Sequence, residues 1–574
     1  MNIKNYLTSE LEKVFEKLGY DKSYAKVSFS DREDIAHLQC NGAFGVAKSA
    51  HTNPMIIADN IVNELSYLKD KFDISVAKPA FINFLIKDEY FARLAYDFAS
   101  DERVGVDKLE QPDFMVLDFG GANVAKPLHV GHLRSAVIGE ALKRLNTFMG
   151  NTVVGDVHLG DWGLQMGLTI AELMDDYDMS GYFDSSKPKT KITEEMLEVA
   201  YPKASARKKT DEEFASRASD ITLWLQNKKP GYYDIWQELR EVSVNMVKRT
   251  YDRLGVSFDL WNGESSVNEL VPAVVKDLKD KGLAYISEGA LVVDVENYTN
   301  QPMPPAIILK SNGAQMYIIT DIATIVDRAN NYPKLSRIVY VTDDRQALHF
   351  RQVFGVTRQA KLVKDNVKLE HYGFGTVNGK DGKPFKTRDG GTMKLDDLID
   401  MVTTKAHERL LENGSKENKE LAHIIAMSAI KYGDLSNQIS RDYVFDEDKF
   451  TTFEGKTGPY LQYTAVRIKS LLAKAGFKGN SNITITLPEE RKIVYSVLKL
   501  IDSYATCLNE SSFNTLCAEL YNVASAYSNF YNNIKILTEK DDQKRNTYLT
   551  LSNMVFKALQ KGLYVLGIEV PEYM

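Results

Sequence analysis

Residues 118–134 read Asp-Phe-Gly-Gly-Ala-Asn-Val-Ala-Lys-Pro-Leu-His-Val-Gly-His-Leu-Arg, and no other stretch of the chain carries as much chemistry. His129 and His132 stand three positions apart with Gly131 between them. Residues at this spacing on the first turn of a helix share a face, so two imidazoles offer donors side by side. Gly131 has no side chain to keep a flat base away from the backbone. The chemistry this suits is the holding of a phosphorylated nucleotide, with backbone N–H groups and the positive end of a helix turned toward phosphate. Taken alone, a four-residue pattern arises readily by chance, and a glycine turn with two surface histidines at a helix start accounts for it equally well.

The elements that must position these groups are legible on either side. Met115–Phe119 is a continuous apolar run, and Leu133, Val137, Ala141 and Leu145 follow at i, i+4 spacing. The pattern is therefore strand, glycine-rich turn, helix. Further strands are expected at 152–157, 291–295, 306–310, 316–320 and 338–341, alternating with helical patterns, which predicts a parallel sheet with crossover helices. More than a hundred residues rich in Lys, Glu and Tyr separate the second strand from the third, so a helical insertion at about 175–255 is expected in an α/β Rossmann-like domain over 109–400. Residues 1–108 read as an N-terminal α+β domain. Helical patterns at 417–439, 456–476, 487–509, 511–534 and 542–564 predict a C-terminal all-α bundle over 401–574, with no strand after about 415.

Size and composition set wide bounds. A chain of 574 residues exceeds one core, and about three or four domains is the expectation from length. Apolar residues at 44% and charged residues at 26% are ordinary for globular protein. A net charge of −7 excludes a surface coated in positive charge, but nucleic-acid affinity follows a local basic track. Such a track, or a solvated helix face, exists in 451–480, where Lys456, Arg467, Lys469, Lys474 and Lys478 meet a single acid, Glu454. Cys40, Cys507 and Cys517 lie far apart, with no zinc-ligand spacing and no disulfide framework, which fits a reducing cytoplasm. The N-terminus reads as a charged amphipathic helix and not a signal peptide, and no apolar run of about eighteen residues predicts a membrane span.

With these elements in hand, the whole chain resembles the arginyl-tRNA synthetases, a family of class I aminoacyl-tRNA synthetases. His129-Val-Gly-His132 matches the class motif His-Ile-Gly-His, and Asn123 through Ser135 is close to the arginine version. Gly160-Asp-Trp-Gly163, Tyr317 through Asp321, Asp344-Arg-Gln346, Lys383 through Gly390, Thr457-Gly-Pro-Tyr-Leu-Gln-Tyr463 and the ending Leu566 through Met574 follow in the family's order. Two departures stand out. Gly121 and Ala122 occupy the places of a serine and a proline, so a backbone N–H is expected to replace a serine hydroxyl. The second class motif, Lys-Met-Ser-Lys-Ser, is degenerate here as Phe385-Lys-Thr-Arg-Asp, and Lys126 is thought to compensate.

The resemblance implies a ligase that joins L-arginine to ATP as arginyl-adenylate, with release of pyrophosphate, and then esterifies the terminal ribose of tRNA(Arg). It implies Lys126, His129, His132 and Lys386 as catalytic groups, and Ala122, Lys126, His129, Gly131, His132 and Lys386 around ATP. Arginine would meet Asp118, Asn123, His132, Glu264, Tyr317, Asp321 and Gln346. A guanidinium calls for carboxylates in forked pairs, and Asp321 is the best placed, with Glu264 as a second. On residue evidence alone, Asp321 serves equally as a helix cap, Tyr317 as core and Lys386 as an exposed hairpin lysine. Asn41, Phe44, Phe81 and Asn83 fall where relatives meet the D-loop corner of tRNA. Tyr460, Tyr463, Arg467, Tyr521 and Tyr531 fall in the bundle that grips the anticodon loop, although aromatics at helical spacing usually pack. Mg²⁺ would arrive with ATP, largely water-bound; no zinc, other metal site or organic cofactor is expected. A monomer in the cytoplasm, off the membrane, completes the expectation.

Two alternatives compete. A smaller His-x-Gly-His nucleotidyltransferase, or a synthetase for another amino acid, leaves the two flanking domains or the scarcity of cysteine unexplained. A catalytically silent tRNA-binding paralogue has no physical reason to keep His129, His132, Asp321 and Lys386 together.

Overall fold

In the computed structural model, which describes residues 2–295, 303–385 and 393–574, strands Val27–Phe29 (β1), Leu38–Cys40 (β2), Phe72–Ala77 (β3) and Phe81–Ile86 (β4) form an antiparallel sheet ordered β1-β2-β4-β3. Ile82, Phe84 and Ile86 alternate along β4 and are buried with Phe72, as expected of a strand with one covered face. Helices Lys419–Leu435, Gly458–Lys474, Pro488–Glu510, Asn514–Asn533 and Asp542–Val565 follow at the C-terminus, near the predicted positions. These segments form one compact unit made of Met1–Lys108, Arg409–Ser436 and Lys449–Met574. Its sheet and helices are joined by polar contacts. Arg491 forks onto Asp88 at 2.5 and 2.6 Å, and the Tyr495 hydroxyl donates to the His37 carbonyl at 3.0 Å.

The second unit comprises Leu109–Glu408 and Asn437–Asp448. Its strands are Phe114–Asp118 (β5), Thr152–Asp156 (β6), Ala284–Ser287 (β7), Ala290–Val293 (β8), Ala306–Leu309 (β9), Arg337–Asp343 (β10), Lys368–Phe374 (β11), Val377–Asn378 (β12) and Tyr443–Val444 (β13). A parallel sheet runs β11-β10-β5-β6. Met115, Val116 and Leu117 are all buried, without alternation, because both faces of the sheet are covered. Helix Leu133–Met149 connects β5 to β6, and the chain then forms helices Leu164–Asp176, Glu194–Arg207, Glu212–Gln226 and Tyr232–Leu254 before β7.

Three strand expectations change. Residues 316–320 open the helix Tyr317–Asn331: Ile318, Ile322 and Ile325 are buried on one face, and this helical period wins over the β-branched composition. The runs at 291–295 and 306–310 do not join the parallel sheet; β8 and β9 lie with β7 in a separate antiparallel sheet. Edge strand β11, Lys-Leu-Glu-His-Tyr-Gly-Phe, is only half-buried and too polar to stand out as a strand, and the two-residue β13 appears beyond residue 415. Among the described residues, no helix is long and apolar enough to cross a membrane.

Candidate active site

β5 has β6 on one side and β10 on the other, so the strand order reverses beside it, and a crevice is expected outside the carboxyl ends there. A cavity of ≈ 690 Å³ occupies this position, lined by residues at the ends of β5, β10 and β11 and the loops beyond them. The β5 loop is tightly held. Gly120 and Gly121 have φ of +93° and +58°, and a Cβ on Gly120 would come within 2.9 Å of both Tyr251 and Phe258. Gly120 donates its N–H to Ser135 Oγ at 2.8 Å, and its carbonyl accepts from Tyr251 at 2.9 Å. Ala122 and Asn123 then pair with Gly160, whose N–H reaches the Ala122 carbonyl at 3.0 Å.

The two histidines close one side. His129 precedes a short 3₁₀ turn, Val130–His132, that leads into helix Leu133–Met149. His129 Nδ1 accepts the Gly131 N–H at 3.0 Å, and His132 Nδ1 accepts the His129 N–H at 3.0 Å. In neutral His129 this leaves the proton on Nε2, free to donate; His132 Nδ1 also lies 3.2 Å from the His129 carbonyl, to which the Nδ1–H tautomer would donate. Burial, with the neighbouring charge of Lys126, holds His129 down to about 4; burial, His129 and Lys126 hold His132 down to about 3. Both are therefore neutral donors near pH 7. Lys126 follows Ala125, strained at φ +65°, and its ammonium is lowered by burial. Lys126 does not line the cavity, although its charge acts on both rings. Lys386 lies outside the described residues. On its two sides, Pro384 and Phe385 line the cavity, and Val130 donates to the Met393 carbonyl at 3.1 Å.

Three acidic residues line the same cavity: Asp118, Glu264 and Asp321. Fully buried Asp161, from the Gly-Asp-Trp-Gly motif, builds the turn that presents Glu264. It accepts from Ser265 N at 2.9 Å and from Arg240 Nε at 2.7 Å, and its carboxylate packs where a Cβ on Gly263 would stand. Burial, followed by the charges of Asp321 and Asp161, pushes the Glu264 carboxyl up to about 8. Tyr317 and Asp321 stand one helical turn apart at the start of their helix, so both reach the cavity mouth; Tyr317 is 60% exposed. Asn123 and Gln346 also line the cavity.

Asp118 sits deeper. Arg328 Nη2 donates to Asp118 at 2.6 Å and to Asp156 at 2.7 Å, all three groups being buried. Burial lifts the Asp118 carboxyl above its ordinary value, while Arg328 and His158 pull it back. Asp118, Asp156 and His158 have ligand atoms within 4.8 Å of one another, but the Arg328 guanidinium already occupies both carboxylates, so this cluster does not fit a bare cation.

Sequence reasoning missed His349, Arg328 and Asp161. Arg328 is two helical turns after Asp321, a spacing readable only once 316–320 is recognised as helix; His349, three residues after Gln346 on the next helix, meets Asp321 only through tertiary packing. Asp161 stood inside a quoted motif without a role.

In the other unit, Phe44 and Phe81 pack edge to face at 5.4 Å, and Asn41 begins the next helix with no hydrogen bond from its side chain to it. Asn83 is buried, and its side-chain oxygen accepts the Gln39 amide at 2.9 Å across the β2–β4 register. Arg467 stacks on Tyr531 at 3.8 Å, Lys456 lies over Tyr521 at 5.6 Å, and Tyr463 is exposed on the face of helix Gly458–Lys474 that carries Tyr460 and Arg467. Tyr460 is less available, since its hydroxyl bonds Ser528 at 3.0 Å.

Residues 97–447 match the family model described as class I (R) tRNA synthetases, catalytic domain. The chain is also 43% identical to the arginine–tRNA ligase of Agathobacter rectalis, over 99% of both chains. The chain belongs to the class I arginyl-tRNA synthetases. Residues 1–86 match the N-terminal domain model of arginyl-tRNA synthetase, and 461–574 the DALR anticodon-binding domain. A second relative, the arginine–tRNA ligase of Alkaliphilus oremlandii, is 41% identical over 99% of each chain. The arginyl-tRNA synthetase of Plasmodium falciparum shares the fold, with a TM-score of 0.84 over 100% of this chain and 99% of that one at 23% identity.

Proposed function

We infer that this chain is an arginine–tRNA ligase, charging tRNA with arginine at the expense of ATP for translation. The observation that carries the reading is one cavity lined by both the neutral imidazoles, His129 and His132, and the acidic residues Glu264 and Asp321, in a chain matching arginine enzymes end to end.

In the first step, an oxygen of the arginine carboxylate attacks the α-phosphorus of ATP, and pyrophosphate leaves. That carboxylate is ionised at neutral pH, so positioning and charge compensation carry the step, not a general base. Nε2–H of His129 and of His132 would donate to phosphate or ribose oxygens, with Gly131 and Ala122 leaving room for the nucleotide. Lys126 would add positive charge behind the rings, and Lys386 is assigned to the phosphates on family grounds alone. Glu264 and Asp321 would hold the guanidinium with Tyr317 alongside; Asp118 would face the ammonium, and Asn123 and Gln346 the carboxylate end. In the second step, the 2′-hydroxyl of the tRNA's last ribose takes the arginyl group, and AMP leaves. Mg²⁺ would travel with the triphosphate.

The same reading gives residues 1–108 to the D-loop corner, through Asn41, Phe44 and Phe81; 109–400 to catalysis; and 401–574 to the anticodon loop, through Tyr460, Tyr463, Arg467, Tyr521 and Tyr531. A monomer in the cytoplasm goes with it. ATP–pyrophosphate exchange tests the reading. Exchange dependent on arginine, appearing when tRNA is added, is expected; exchange supported by a different amino acid and not by arginine would overturn it.

A further inference from the structure

Asp321 does not stand free in the cavity. His349 Nε2 lies 2.5 Å from Asp321 Oδ2, and the two side chains remain 27% and 20% exposed. His349 belongs to the first turn of helix Ala347–Gln359 and packs edge to face on Phe350 at 5.2 Å. Phe350 in turn stacks on His371 at 4.8 Å, and His371 Nε2 bonds Thr342 Oγ1 of β10 at 2.8 Å. The imidazole is thus braced against the central sheet, and both it and the carboxylate it holds line the cavity.

We propose that His349 is a positioning residue for arginine recognition, fixing the plane of the Asp321 carboxylate so that it meets the substrate guanidinium in a forked geometry. The proposal rests on the assignment of Asp321 to the guanidinium made above. A planar guanidinium gains its second hydrogen bond only from a carboxylate whose plane is already aligned; a spherical ammonium gains nothing from that alignment. Both the neutral Nε2–H tautomer and the imidazolium donate to Oδ2, so the clamp does not depend on His349 gaining a charge. The donor also offsets part of the repulsion between Asp321 and Glu264, whose carboxyl responds to the Asp321 charge. Held groups of this kind govern how well the residue they orient performs.

Steady-state exchange kinetics of His349→Leu, His349→Gln, Asp321→Asn and the His349→Leu/Asp321→Asn pair test this. His349→Leu removes the donor and should raise KM for arginine about tenfold or more, with kcat and KM for ATP changed less than about twofold. His349→Gln keeps an amide N–H and should restore most of the loss. In the Asp321→Asn background, the leucine substitution should add little, because the two side chains act as a unit. An unchanged KM for arginine in His349→Leu, while Asp321→Asn raises it, overturns the positioning role and leaves the assignment of Asp321 standing. No rise in Asp321→Asn removes that assignment and the proposal with it. Equal losses in arginine and ATP parameters that glutamine does not restore would mark His349 as structural support and overturn the proposal.

Discussion

At the scale of single residues, the site is an arrangement of proton positions. Two histidines are kept neutral by burial and by the neighbouring charge of Lys126, His132 also by His129, so they act by donating hydrogen bonds and add no charge of their own. Glu264 behaves in the opposite sense. Burial and the charges of Asp321 and Asp161 place its carboxyl at about 8 against an ordinary 4.5, so near pH 7 it holds a proton. A raised carboxyl contributes fully to stability below 4.5, and that contribution is lost as pH rises through about 8. An incoming guanidinium supplies the missing positive charge and favours ionised Glu264. Arginine binding at pH 7 should therefore release close to one proton, and affinity should climb as pH rises and level off above about 8. Calorimetry in two buffers of different ionisation enthalpy reads the proton count directly. Binding with no net proton release and pH-independent affinity would remove Glu264 from the slot.

At the scale of elements, the β5 loop is what converts a sheet edge into a site. Gly120 has no room for a side chain beside Tyr251 and Phe258 and adopts a φ that other residues avoid. Gly120→Ala should destabilise the unit by about 1–3 kcal/mol and raise KM for both arginine and ATP, as thermal melting and exchange kinetics would register. A variant with wild-type melting and kinetics would mean that the loop geometry is not constrained in this way. This loop was readable in the sequence, because an apolar run, two glycines and a helix period leave few alternatives. The strand at 316–320 was misread because Tyr-Ile-Ile-Thr is rich in strand formers, and the deciding residues, Ile322 and Ile325, lie beyond that window. That error hid Arg328, while His349, on the next helix, was hidden because its partner Asp321 is set by tertiary packing and not by nearness in sequence. The burial of Asn83 was illegible for a related reason: only the pairing of β2 with β4 turns its side chain toward Gln39. Asp161 was beyond sequence reasoning, since its partners Arg240 and Ser265 are supplied by tertiary packing.

At the scale of the whole molecule, a chain with a net charge of −7 binds nucleic acid only where basic and aromatic groups are gathered. The faces of helices Gly458–Lys474 and Asn514–Asn533 gather them as cation–aromatic pairs, Arg467 on Tyr531 and Lys456 on Tyr521, with Tyr463 exposed nearby. Stacking on such rings is worth about 1–3 kcal/mol per base, so the double substitution Tyr463→Ala/Arg467→Ala should weaken tRNA binding about tenfold or more and flatten its salt dependence. Filter binding across a salt series checks this; an unchanged affinity would move the tRNA contact elsewhere. The central claim, that the acidic slot beside the histidines admits arginine and commits it to tRNA, is tested most directly by charging total tRNA with each of the twenty amino acids in turn. The account predicts esterification by arginine alone, slowed at limiting arginine by replacing Asp321. Efficient charging by any other amino acid, or none by arginine with a folded protein, would contradict it.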